Sequence, residues 1–128
     1  GMDIEPFLAA RQARDAARRF GKPMLISSIR SATGIGNLYA APGADWFCET
    51  ARLPRAPKGT GDLFTALFTA RRMRGEAPAV ALEAATGAVY DVIVRSLAAE
   101  SEDLALPQAQ NVLEEPVTWP QAVRLEIA

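Results

Sequence analysis

Apolar residues recur at helical spacing over residues 4–20, where Ile4, Phe7, Leu8, Ala16, Ala17 and Phe20 alternate with arginines and Gly21 closes the run. This pattern predicts an amphipathic helix with a glycine stop. Pro23–Ile29 is a short, nearly continuous apolar segment and predicts a strand buried on both faces, of the parallel type. Ile35–Ala40 and Ala44–Thr50 read as two more strands, joined as a hairpin by Pro42-Gly43. Arg52–Lys58, with prolines at 54 and 57, predicts an extended connection. The period then becomes helical again. Leu63, Phe64, Leu67, Ala70 and Met73 form a stripe ending in Arg71, Arg72 and Arg74, cations suited to the negative end of a helix dipole. Pro78 opens a longer helix to about Ala99, with Leu82, Ala85, Val89, Val92, Ile93 and Leu97 on its buried side. A glycine inside a helix costs up to ~1 kcal/mol relative to alanine, so Gly87 is expected at a close helix–helix contact. A short helix near Pro107–Leu113 and a strand over Ala122–Ile127 complete the series. The order predicts one α/β domain across residues 1–128, with Gly1 ahead of Met2 read as the remnant of a cleaved tag.

Composition narrows the chemistry. The 128 residues contain no histidine and one cysteine, Cys48. Histidine-based nucleophile pairs and zinc fingers are therefore excluded, as is an internal disulfide, and a reducing cytoplasm is the expected location. No apolar run is long enough to span a membrane, and the arginine-rich N-terminal segment does not read as a secretory signal. The net charge of −1 hides an asymmetry: residues 1–74 are strongly basic and residues 75–128 strongly acidic. The arginines are not interleaved with stacking aromatics, so nucleic acid is not the expected partner of the basic half.

One segment carries candidate chemistry. Gly59-Thr60-Gly61-Asp62 is a small-residue loop opening into a helix. Free backbone N–H groups and the positive dipole end at such a start favour an anion, and the glycines let it approach closely. Thr60 adds a hydroxyl donor. Asp62 would repel a phosphate, which suits a general base taking a proton from an attacking hydroxyl; a charge-complementing or capping role at the helix start is equally open. Gly34-Ile-Gly36 lacks the third glycine of a dinucleotide fingerprint, and Lys58 precedes its glycines, unlike a Walker A lysine. Cys48, Trp46 and Trp119 read as packing residues. Ser27 and Ser28 stand in the first strand, either inert or facing a ligand.

The string from Pro54 through Gly59-Thr60-Gly61-Asp62 to Phe68, followed by Ala84–Arg95 with Ala88-Val-Tyr-Asp91, resembles the C-terminal half of pyridoxal kinases, members of the ribokinase-like superfamily. Ile26-Ser-Ser28, Ile35-Gly-Asn-Leu38, Leu104–Gln110 and Glu115-Pro116 extend the resemblance over nearly the whole chain from about Phe7. It implies a partial ribokinase-like three-layer α/β fold, a short sheet with flanking helices. It further implies ATP and Mg2+ as cofactors and phosphorylation of the pyridoxal hydroxymethyl group, in salvage of pyridoxal 5′-phosphate. By the same resemblance Gly59, Thr60 and Gly61 form the anion hole, Asp62 is the base, Ser27 faces the ATP phosphates, and Leu53–Lys58, Pro57 included, lies along the adenine side.

Pyridoxal kinases are much longer than this chain. The resemblance implies that the pyridoxal-contacting residues, the lid and the acidic Asn-x-x-Glu-type magnesium motif belong to a half with no counterpart here. Asn111-Val-Leu-Glu114 matches that motif only by letters, since it follows the glycine loop. The expectation is a pyridoxal kinase-like phosphotransferase, inactive as an isolated chain, binding a nucleotide or phosphate anion and taking pyridoxal only if completed by another chain. The alternatives are a non-catalytic nucleotide- or anion-binding module and an inactive remnant of the fold. A homodimer is expected through a bare strand edge, unless Ala122–Ile127 fills that edge.

Overall fold

Residues 4–125 are described by the structure, a computed structural model of the chain. The elements follow in the order α1 (Ile4–Phe20), β1 (Met24–Arg30), β2 (Ile35–Ala41), β3 (Ala44–Thr50), α2 (Thr60–Met73), α3 (Pro78–Ala98), α4 (Leu106–Glu114) and β4 (Val123–Arg124). All three long helices and the β2–β3 hairpin stand where the pattern put them. The expected C-terminal strand is reduced to Val123–Arg124 within the described residues; residues 126 and 127 lie outside them.

The strands form one sheet in the order β1-β2-β3-β4, every neighbouring pair antiparallel. β1 is therefore not the parallel-type strand its apolar run suggested. The next strand follows after a four-residue turn, and only an antiparallel return is that short. The turn is tied by Ser31 N–H donating to the Gly34 carbonyl at 3.0 Å and Gly34 N–H donating to Ser31 Oγ at 2.9 Å. Glu49 on β3 accepts hydrogen bonds from the Ser31 and Thr33 hydroxyls. β4 pairs with β3, so the tail does not fill the edge of β1; among the described residues β2 is the strand beside it.

Helices cover both faces, which makes three layers. On one face α1 packs against Ile29, Leu38, Ala40 and Phe47. The stripe that meets the sheet is Ala10, Ala13 and Ala17, whereas Leu8 and Phe20, assigned to it by spacing, are exposed. Alanines bring the helix axis close to the strands, and larger side chains would hold it off. Arg14 on α1 reaches the fully buried Asp45 on β3, donating from Nε at 3.0 Å and Nη2 at 2.6 Å to Oδ2. An ion pair of this kind is strongly destabilising to break, because the remaining carboxylate stays buried without its partner.

The opposite face holds the larger core. Phe64 and Phe68 of α2, with Ala81, Leu82, Ala85 and Val89 of α3, pack on Tyr39 and Cys48 of the sheet. Behind α3 lie α4 and the tail, where Val92 meets Ala109 and Val112. This placement explains why α3 is apolar on most sides. Its one buried carboxylate, Asp91, accepts Val117 N–H at 2.7 Å, Thr118 N–H at 3.1 Å and the Thr118 hydroxyl at 2.6 Å. Glu83 likewise accepts Ala122 N–H at 2.7 Å. Gly87 does mark a close approach, but to the extended tail: an added Cβ would run into the Thr118 carbonyl. Trp119, read as unstacked packing, is half-exposed; its indole N–H donates to the Pro116 carbonyl at 2.8 Å and Arg71 lies 5.7 Å from its ring centroid. Among the described residues no helix is long and apolar enough to cross a membrane.

Two stability predictions follow from this packing. Gly87→Ala forces a methyl against backbone that Asp91 holds in place, so it is expected to cost about 1–3 kcal/mol, the usual range for overpacking. Urea denaturation measures this, and an unchanged midpoint would mean that the tail yields freely. Cys48 is fully buried, and desolvation pushes its thiol up to about 12. The folded thiol thus stays protonated where an unfolded one ionises, so stability is lost as pH rises above the ordinary value of 9.0. Cys48 should resist thiol reagents at pH 8 and react fully on unfolding; rapid labelling of the native protein would contradict its burial.

Candidate functional site

The site forms where the register of one ladder slips. Ile26 pairs with Leu38 and Ile29 with Gly36, so Ser27 and Ser28 on β1 together oppose Asn37 on β2. This is a β-bulge, and its extra residue reverses the alternation of side chains beyond it. Before the bulge Met24 and Ile26 face α1 and Leu25 faces the helices of the other layer. After it Ile29 again faces α1, which an unbroken strand would have assigned to the opposite side. Ser27 and Arg30 are thereby aimed into the same cleft. Ser28 takes the left-handed conformation with φ 62° that the irregularity demands, and its N–H donates to Asn37 Oδ1 at 3.2 Å.

The start of α2 meets this bulge. Gly59 turns the chain out of the proline-rich connection at φ 92°, a conformation that glycine adopts without strain. No side chain caps the helix, so its first backbone N–H groups are left for another acceptor. A methyl placed on Gly61 would stand 3.4 Å from Ser27 Oγ. Asp62 lies in the first turn, exposed, and makes no capping hydrogen bond. Its place in the first turn leaves both charge complementation of the helix and a general base open.

Between bulge and helix start lies a cleft of about 270 Å³. Ser27, Thr60, Gly61 and Leu53 line it together, with Asn37, Thr86 and Tyr90 at the polar positions. Arg30, Arg52 and Arg55 line it as well, and among the described residues no aspartate or glutamate does. Phe64, Val89 and Ile93 supply an apolar floor. Ser28 and Gly36 line it too, whereas other residues singled out by sequence stand apart from the lining. Gly59 and Lys58 are exposed beside it, Pro57 is buried, and Asp62 is exposed at its margin, one residue beyond Gly61. The arginines, Asn37 and the face Thr86, Val89, Tyr90 and Ile93 were not picked out by sequence. Their signal was present as helical spacing on α3, but an apolar helix face reads as core until the sheet leaves a gap over it.

Among the described residues no group of three or more cysteine, aspartate or glutamate side chains is placed to hold a metal ion. Arginines, hydroxyls and the N–H groups of a helix start are groups that attract anions.

Comparison with known proteins bears on this arrangement. No protein-family model matches the chain. Pyridoxal kinase PdxY of Pseudomonas syringae pv. syringae is 35% identical over 98 residues, which is 75% of this chain and 34% of that protein. The pyridoxal kinase of Entamoeba histolytica superimposes with a TM-score of 0.78 at 13% identity, covering 91% of this chain and 43% of its own. A Bacteroides thetaiotaomicron protein described as a phosphomethylpyrimidine kinase, crystallised with pyridoxal, gives a TM-score of 0.74 at 20% identity over 90% of this chain and 44% of its own. The chain thus spans about a third of the length of the curated relative and less than half of each structural one. In sequence the chain is similar to one part of the pyridoxal kinases, and its fold is the corresponding part of their ribokinase-like α/β fold.

Proposed function

We propose that this chain forms the nucleotide-phosphate side of a pyridoxal kinase-like phosphotransferase site. The observation that carries the reading is the convergence of Ser27 and Gly61 at an uncapped helix start, in a cleft lined by Arg30, Arg52 and Arg55 and by no acid among the described residues. In this reading ATP is the substrate. Its phosphates lie against the α2 amides with the Thr60 and Ser27 hydroxyls, and its adenine lies along the segment around Leu53. Phosphoryl transfer asks mainly for positioning and charge stabilisation, and oriented amides and guanidinium groups supply both. Asp62, exposed beside Gly61, takes the proton of the attacking hydroxyl. The names of the sequence relatives point to pyridoxal as the acceptor, through its hydroxymethyl group. Magnesium would travel with the nucleotide; the described side chains offer it no cluster, and no step is assigned to it. The cytoplasm is the compartment that suits a single reduced cysteine. The partner we propose is a second copy of the chain along the edge of β1. Light scattering should then give a mass well above 13.7 kDa, and a concentration-independent mass at that value would exclude the homodimer.

A second reading is favoured by one observation: Asp62 does not line the cleft. It makes the chain a nucleotide- or anion-binding module without chemistry. One set of variants separates the two. Gly61→Ala adds a methyl in ordinary contact with Ser27 Oγ, and alanine is the better helix former by up to ~1 kcal/mol. It should keep or raise thermal stability while weakening ATP binding, measured by calorimetry, by about tenfold or more, because the methyl holds the phosphate off the helix amides and lengthens their charge-assisted contacts. Unchanged affinity would refute the anion site. Asp62→Asn should leave ATP affinity nearly intact and lower transfer to pyridoxal by about 10²–10⁴, the usual share of a general base. Binding without transfer, with the pyridoxal-contacting half of a kinase supplied as a second chain, assigns the binding module.

A further inference from the structure

Asn37 is the one residue of β2 facing the pair of serines across the bulge, and both ends of its side chain are engaged. Oδ1 accepts the Ser28 N–H at 3.2 Å, and Nδ2 donates to Thr86 Oγ1 on α3 at 3.1 Å. A backbone N–H is only a donor, so the oxygen must face Ser28 and the amide has a single workable orientation. The series continues inward. Thr86 lies beside the Cys48 thiol, and Cys48 Sγ donates to the Pro120 carbonyl at 3.4 Å. Thr86 and Cys48 are buried, so the far end of this chain is fixed within the core. Its near end is Ser28, a non-glycine residue in the left-handed region, where such a conformation persists only if its surroundings impose it. Alanine at 37 would leave the ladder hydrogen bonds of β2 untouched but would release both the amide clasp and the Thr86 tie.

We infer that Asn37 is a positioning residue, which clasps the Ser27–Ser28 bulge to α3 and so holds the Ser27 hydroxyl against the N-terminus of α2. The inference rests on the reading of that cleft as a phosphate site, but it extends it. Asn37 acts on the bound anion through Ser27 and not by touching it. Its removal should therefore matter only while the Ser27 hydroxyl is present. Residues acting in series in this way give non-additive losses, and independent ones give additive losses.

The test has two arms. In the first, ATP affinity is measured by calorimetry for the unaltered chain, Ser27→Ala, Asn37→Ala and the double variant. Each single change is expected to weaken binding severalfold, and the double variant to match the weaker single one within about twofold. Multiplying losses would overturn the inference, because Asn37 would then act independently of Ser27. The second arm needs no ligand. Amide exchange followed by NMR should show Ser28 N–H protected in the unaltered protein and exchanging at least about tenfold faster in Asn37→Ala, with the β2–β3 amides unchanged. Asn37→Asp keeps the accepting oxygen and should retain the Ser28 protection. Unaltered exchange at Ser28 in Asn37→Ala, or equal loss across the hairpin, overturns the clasp. Absence of ATP binding in the unaltered chain would refute the phosphate site and with it the role toward the anion, while the exchange arm still decides whether Asn37 holds the bulge.

Discussion

One extra residue in β1 decides which side chains reach the cleft. A regular strand would send Ser27 and Ile29 to the same face and Arg30 to the other. The bulge at Ser27–Ser28 instead seats Ile29 under α1 and turns Arg30 to the cleft side that Ser27 already faces. A hydroxyl and a guanidinium are placed beside the α2 N-terminus without the core losing an apolar contact. The backbone distortion is concentrated at Ser28, and the hydrogen bond to Asn37 answers it.

The rest of the architecture fixes the two elements that must meet. α1 lies close to the sheet through its alanines and is pinned by Arg14 to the buried Asp45. On the other face α3 is held from behind by its own carboxylates, Asp91 binding the backbone at Val117 and Thr118 and Glu83 that at Ala122. The close approach at Gly87 permits this. With α3 fixed, Phe64 and Phe68 of α2 have a surface to pack on, and the helix start comes to rest opposite the bulge. The proposed anion site draws its field from the α2 amides and from arginines of neighbouring segments.

Much of this was legible in the chain. The periodicity of α2 and α3, the Pro42-Gly43 hairpin and the glycine loop before α2 are local signals, and each lies where expected. The resemblance to pyridoxal kinases gave the three-layer fold and led to Ser27, Thr60 and Gly61, which line one cleft. Elsewhere tertiary structure outweighed local pattern. The apolar composition of β1 suggested parallel neighbours, but direction is set by the turn at Ser31–Gly34, whose side-chain hydrogen bonds are invisible in a periodicity. On α1 the large residues Leu8 and Phe20 seemed to mark the buried face, and the sheet instead selected the alanines. Gly87 signalled a close approach correctly but not its partner, a tail segment some thirty residues later. Arg30 and Asn37 could not be assigned at all without the bulge, because the alternation rule places Arg30 on the wrong face.

The central claim is that the cleft recognises phosphate through the bulge and the helix start. Calorimetric titration of the chain with ATP and with adenosine, each at low and at moderate salt, tests it most directly. A field of arginines and helix amides predicts that ATP binds at least about tenfold more tightly than adenosine, the advantage shrinking as salt screens it. Equal affinities for the two, independent of salt, would contradict the account.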